Sequence, residues 1–183
     1  MSYNNILLTG IGFTDGEENA PGIQEDAYLL RYSEVNSLAV PTPTNDPISL
    51  MTITGTHLMK QGKSPIPVYT QFEKSGLEAA LSGEMYSQMF IQTVKLFLPQ
   101  LSTAGAANFS VIKNERLILL IRRTGGTGFM QIGCKGLYAK VKGGGKVSTG
   151  DGPAGAVGIT FEIEAPGIHP YFDYQGVLPV TGI

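Results

Sequence analysis

The sequence predicts a mainly β fold, a β-sandwich or barrel-like protomer with one flanking α-helix and long loops. Three observations carry this. There are 24 glycines and 11 prolines among 183 residues, a density of breakers that favours strands joined by many turns. Most of the apolar stretches are short, many alternate with a period of two, and turn residues bound them. Only residues 102–114 carry a helical pattern. With 42% hydrophobic residues, the 19.5 kDa chain is long enough to bury about 70% of its unfolded surface as a single domain over 1–183.

Along the chain, Ile6-Leu7-Leu8-Thr9-Gly10-Ile11-Gly12-Phe13 is apolar and β-prone, and Thr14-Asp15-Gly16 is a turn signal, so a first strand is expected there. Asp26–Tyr32 and Ile48–Gly55 read as two more strands. Pro41, Pro43 and Pro47 offer no ladder N–H, so residues 40–47 form an exposed loop or linker. From Pro67 to Leu81 the apolar parity switches, from Val68, Thr70 and Phe72 to Leu77, Ala79 and Leu81. A bulge or bend at Ser75-Gly76 would keep one face inward. With Met89–Leu98 this segment makes a long hairpin that turns near Gly83-Glu84 and stops at Pro99.

Ser102 is an N-cap candidate for a helix ending near Asn114, with Phe109 and Ile112 three apart on the face expected to pack against the next strand. That strand, Leu117–Ile121, is an unbroken apolar run of the kind buried on both faces. Gly125-Gly126-Thr127-Gly128 then turns into Phe129–Ile132. Leu137, Ala139 and Val141 alternate with Tyr138, Lys140 and Lys142, giving a strand with a basic outer face. Ile159, Phe161 and Ile163 alternate with Thr160, Glu162 and Glu164, giving one with an acidic outer face. Residues 143–158 hold seven glycines and read as a flexible loop without regular structure that orders against a partner. Residues 165–183 read as an extended C-terminal arm.

The formal charge is −2, but residues 1–50 carry −6 and residues 113–146 carry +7. Opposite blocks on one chain favour head-to-tail association of copies. The interface candidates are therefore Asp15, Glu17, Glu18, Glu25 and Asp26 on one protomer, set against Arg122, Arg123, Lys140, Lys142 and Lys146 of a neighbour. No apolar run reaches the ~18 residues of a membrane span, and the start lacks the basic stretch of a signal peptide, so folding in a cytoplasm is expected.

Sites for chemistry are sparse. Gly145-Lys146 is followed by Val147, where a phosphate loop needs Ser or Thr for magnesium, and Gly150–Gly155 matches a dinucleotide fingerprint without a βα turn around it. One cysteine, Cys134, forms no internal disulfide, and with His57 and His169 it is too little for a structural zinc site. His57 reads as an exposed turn residue, His169 as structural between two prolines, and Cys134 as a small buried or half-buried apolar residue. Glu162 and Glu164 read as a solvated strand face. No active site, metal or cofactor is expected, and no enzyme.

From Phe72 onward the order FEKSGLEAALSGE, QMFIQTVKLFLPQ, TAGAANFSVIKNE, RLILLIRR, GFMQIGC, GLYAKVKG and ITFEIEAPG resembles the tail tube proteins of long-tailed bacteriophages. The similarity covers about 100 residues, from Phe72 to Phe172, and is one of pattern rather than of a signature motif. It implies a protomer that assembles into hexameric rings. These would stack into a hollow tube through which DNA passes without specific binding, in contact with other tail proteins, in the virion tail after assembly in the host cytoplasm. Mildly polar positions such as Ala80, Ser82 and Gly83 beside Glu78 and Glu84 suit a wet lumen. Two rival readings use other residues. One is a basic barrel holding single-stranded nucleic acid with Lys135, Tyr138, Lys140, Lys142 and Lys146 around a Phe129 platform. The other is a carbohydrate-binding or capsid-decorating module using Tyr171-Phe172-Asp173-Tyr174.

Overall fold

A computed structural model describes residues 6–8, 10, 12, 15, 20–152 and 155–181. It is mainly β, as the alternating apolar runs require, and sandwich-like. The chain runs β1 (Ile23–Arg31), β2 (Val35–Ser37), β3 (Thr52–Ile53), β4 (Leu58–Met59), β5 (Ile66–Tyr69), β6 (Gly76–Ser82) and β7 (Met89–Leu98). After these come α1 (Thr103–Ile112), β8 (Leu117–Arg123), β9 (Phe129–Ile132), β10 (Lys140–Val141), β11 (Lys146–Ser148), β12 (Gly158–Gly167), β13 (Phe172–Tyr174) and β14 (Val180–Thr181).

Three sheets stack in layers. The middle one has six strands in the order β3-β13-β9-β8-β1-β5, and a five-stranded sheet, β10-β12-β7-β6 with β11 also on β12, covers one of its faces. The third sheet, β14-β4-β2, lies with the 35–60 segment over the other face. Strand β8 shows why the middle layer is central. Leu117, Leu119 and Ile121 point into the core shared with Val94, Leu96, Ile159, Phe161 and Ile163. Ile118 and Leu120, of opposite parity, enter a second core with Leu30, Ile53, Met59, Phe129, Phe172 and Tyr174. Full burial on both faces, each side chain contributing about 1.5–3 kcal/mol, explains the unbroken apolar run.

The parity switch after Pro67 marks a change of sheet. β5 is the last strand of the middle sheet, a 3-10 turn at Phe72–Lys74 carries the chain across, and β6 begins at the edge of the five-stranded sheet. Thr70 and Ser75 flank this corner, hydrogen-bonded to each other, and the buried Phe97 N–H is within reach of both hydroxyls. The expected single long strand over 67–81 is thus two strands in two sheets. The hairpin itself forms, with β6 and β7 in unbroken register from Gly76↔Lys95 to Ser82↔Met89.

Several other expectations change. At the described positions of the expected first strand there is none, and Leu7 and Leu8 are exposed. Ile11 and Phe13 lie outside the described residues. The segment Ile48–Gly55 supplies only β3, because Asp46 caps Ile48 N–H and Pro47 starts a 3-10 turn over Pro47–Leu50. Ser102 does cap α1, accepting from Gly105 N–H at 3.0 Å. Phe109 is half-buried and packs on Phe161 of β12, 5.2 Å between ring centres, at the margin of the core that Leu117, Leu119 and Ile121 share. The 143–158 segment contains regular structure after all, since β11 pairs with β12 of its own chain from Lys146↔Thr160 to Ser148↔Gly158. The stretch after 165 is no free arm, because β13 inserts between β3 and β9 and β14 pairs with β4.

Candidate assembly surface

The five-stranded sheet has one dry face and one wet one. Ile159, Phe161 and Ile163 of β12 point to the core, so Thr160, Glu162 and Glu164 point outward beside Lys95 and Thr93 of β7 and Glu78 of β6. On its other side, β10 sets Lys140 opposite Glu164, and Lys142 Nζ lies 3.0 Å from Glu164 and 4.0 Å from Glu162. The basic and acidic strand faces read from the sequence are therefore neighbours that neutralise each other. Hydrogen bonding to Glu164 raises the Lys142 pKa. The result is a solvent-facing sheet surface of interspersed charge.

At one end of this sheet, β6 pairs only with β7, leaving a row of N–H and C=O groups open. Residues 80–88 are all exposed, including Leu81 (59%), Met85 (74%) and Tyr86 (98%). The usual guards of such an edge are missing: β6 holds no proline, no bulge and no lysine, and Glu78 is its only charge. The turn beyond it is tightly specified. Gly83 has φ +114° and its Cβ position lies 2.8 Å from Ser87 O, Tyr86 has φ +70°, and Ser87 N–H donates to Glu84 O. The opposite end of the sheet is formed by the short β10 and β11, both on β12.

The charged residues singled out by sequence are dispersed over this frame. Asp15 is exposed in a turn, and Glu17 and Glu18 lie outside the described residues. Glu25 is exposed, and its carboxylate beside Tyr69 raises the Tyr69 pKa. Asp26 and Arg122 face each other on adjacent strands of one protomer, 4.0 Å apart, and the Arg122 guanidinium sits 4.2 Å from the Phe129 ring centre. Arg123 follows Arg122 in a strand and so projects to the other face. Lys140, Lys142 and Lys146 belong to the other sheet. The two charge blocks therefore form no single pair of patches, and part of their attraction is spent within the chain.

The residue types suited to chemistry are committed to the fold. His57, expected at the surface, is fully buried. Ala39 N–H donates to its Nδ1 at 3.0 Å, so Nε2 carries the proton and donates to Gln131 Oε1 at 2.7 Å. The His57 backbone N–H donates to the Tyr174 hydroxyl, which donates to Val177 O, and the two rings stack at 4.5 Å. Burial pushes the imidazole pKa down against the smaller opposing effect of Gln131. Gln92 ties the two large sheets together, accepting from Gly133 N–H and donating to His169 O. Sequence reasoning passed over both glutamines, although each shares a strand parity with buried apolar residues, which marks a buried polar clamp. Cys134 is half-buried and burial pushes its thiol pKa up, which keeps the less reactive form.

The aromatic platforms of the rival readings are occupied as well. Phe129 lies between Tyr28 and Tyr174 in the second core, and Phe172 and Tyr174 are buried in β13. An apolar cleft of about 340 Å³ opens between α1 and β5, lined by Ile66, Leu98, Phe109, Ile112 and Phe161. Among the described residues no cluster of three His, Cys, Asp or Glu side chains could hold a metal, and no helix is long and apolar enough to cross a membrane. No protein-family model, curated protein or solved structure matches this chain.

Proposed function

We propose that this chain is a structural protomer that assembles with copies of itself by continuing the five-stranded sheet from one copy to the next. The observation that carries this reading is the unguarded edge of β6. An open strand gains a full ladder of hydrogen bonds by pairing, and β10 and β11 give the sheet a second edge to receive it. The contact joins two different surfaces, so repeating it closes a ring when the rotation between copies divides a full turn. The hydrated outer face of the sheet then borders a channel. Its lysines and glutamates alternate, which suits passage of a polyanion without a grip on its phosphates. This agrees with the resemblance to phage tail tube proteins, and the proposed role is a tail tube subunit whose stacked rings conduct DNA.

The test is the state of association. Concentrated protein should sediment as rings or longer polymers and show annular or tubular particles in negative stain. Leu81→Lys places a charge on the exposed edge and should leave the near-ultraviolet circular dichroism unchanged while shifting the protein to monomers. A wild-type chain that stays monomeric at high concentration, or assemblies indifferent to Leu81→Lys, would reject the reading.

A further inference from the structure

Two tyrosines far apart in sequence meet at the start of β8. Tyr32 follows β1, and its backbone N–H donates to Arg116 O at 2.8 Å. Tyr138 lies between two backbone locks, the Cys134–Leu137 turn and the paired bonds that join Leu117 and Ala139. Both rings are thus carried by backbone fixed to residues 116 and 117. Their centres are 4.3 Å apart with planes tilted by 47°, and the Arg116 guanidinium lies 5.5 and 5.2 Å from them.

We propose that Tyr32 and Tyr138 are an oxidative modification site, at which a peroxidase-type one-electron oxidant joins the two rings as an intramolecular dityrosine. The inference does not depend on the assembly reading. Each phenol gives up one electron and its hydroxyl proton. The two tyrosyl radicals combine through the ring carbons next to the oxygens, and the hydrogens on those carbons shift to restore two phenols. In sum the protein loses two hydrogen atoms and one hydrogen peroxide is reduced to two waters. Radical coupling needs the reactive carbons close and the rings mutually accessible, and both residues are half-exposed at van der Waals separation. The neighbouring Tyr32, with Arg116 and Lys135 close by, lowers the Tyr138 pKa, and a phenolate yields an electron more readily than a phenol. Among the described residues no other two tyrosines are in ring contact: Tyr28 and Tyr174 pack on Phe129, while Tyr69 and Tyr86 stand apart on the surface.

The experiment treats dilute purified protein with a peroxidase and limiting hydrogen peroxide, then measures dityrosine fluorescence in the monomer band and maps cross-linked peptides by mass spectrometry. The expected product is a monomer lighter by two hydrogens, with one cross-linked pair containing Tyr32 and Tyr138. Tyr138→Phe keeps the ring and the packing, and should reduce monomer fluorescence to background. Arg116→Ala should slow formation without abolishing it. Equal monomer fluorescence in wild type and Tyr138→Phe, or dityrosine found only in covalent dimers through Tyr69 or Tyr86, would overturn the proposal.

Discussion

The six-stranded and five-stranded sheets share one core but live in different surroundings. At its centre the middle sheet is dry on both faces, where Leu117–Ile121 are without exposure. The five-stranded sheet is dry on one face only, and beyond Ala79 its β6–β7 hairpin projects into solvent. The middle sheet stores stability, while the outer one displays surface. A strand buried on both sides has no group left to recognise a partner, whereas an edge strand with one wet face has a ladder and side chains to offer.

The widest gap between the two regions should appear in stability. Leu120→Ala empties a site in the second core and should cost about 2–5 kcal/mol, whereas Leu81→Ala, on the projecting edge, should stay within about 0.5 kcal/mol. Denaturant unfolding of both variants measures this directly, and equal costs would erase the distinction between the sheets.

A smaller effect concerns acid. The folded His57 pKa is depressed, so below the unfolded value near 6.5 the unfolded chain binds a proton that the folded one resists. Stability present above about pH 6.5 should therefore fall as pH drops through and below it, because a proton on Nδ1 would confront the Ala39 N–H. The half-buried His169, depressed by burial, adds in the same direction. Unfolding midpoints from about pH 8 to about pH 5 should decline in wild type, and His57→Gln should flatten much of the slope. An unchanged slope would place the acid sensitivity outside the middle sheet's buried network.

The smallest effect belongs to the wet face. Lys142→Ala removes the pair with Glu164 but should leave stability close to that of the parent, with any difference fading at high salt, since both side chains remain substantially exposed. A larger, salt-independent loss would mean that this face is structural in the same sense as the core.

Much of the framework was legible because period and punctuation are local. The unbroken run at Leu117–Ile121, the Ser102 cap, the turn at Gly83 and the inward parity of Ile159, Phe161 and Ile163 each declare themselves within a few residues. The candidate surface was less so. Reading Lys140 and Lys142 apart from Glu162 and Glu164 gave two charged faces, because nothing local says that the strands bearing them are paired. The same blindness set Asp26 against Arg122 of another copy, although β1 and β8 pair within one chain.

By itself, then, the sequence determined where the helix begins, where the β6–β7 hairpin, β8 and β12 run, which residues of β12 face inward, and that the protein is mainly β, since hydrophobic period and backbone chemistry act over neighbouring positions. Only the tertiary structure decided which strands share a sheet: that the parity switch at Ser75 is a crossing between layers, that the glycine-rich stretch yields β11, and that the chain's last strands enter the body. It also decided that His57 is buried beside Gln131 and that Tyr32 meets Tyr138. These depend on hydrogen bonds and packing between segments up to a hundred or more residues apart, and no local pattern of side chains encodes the partner.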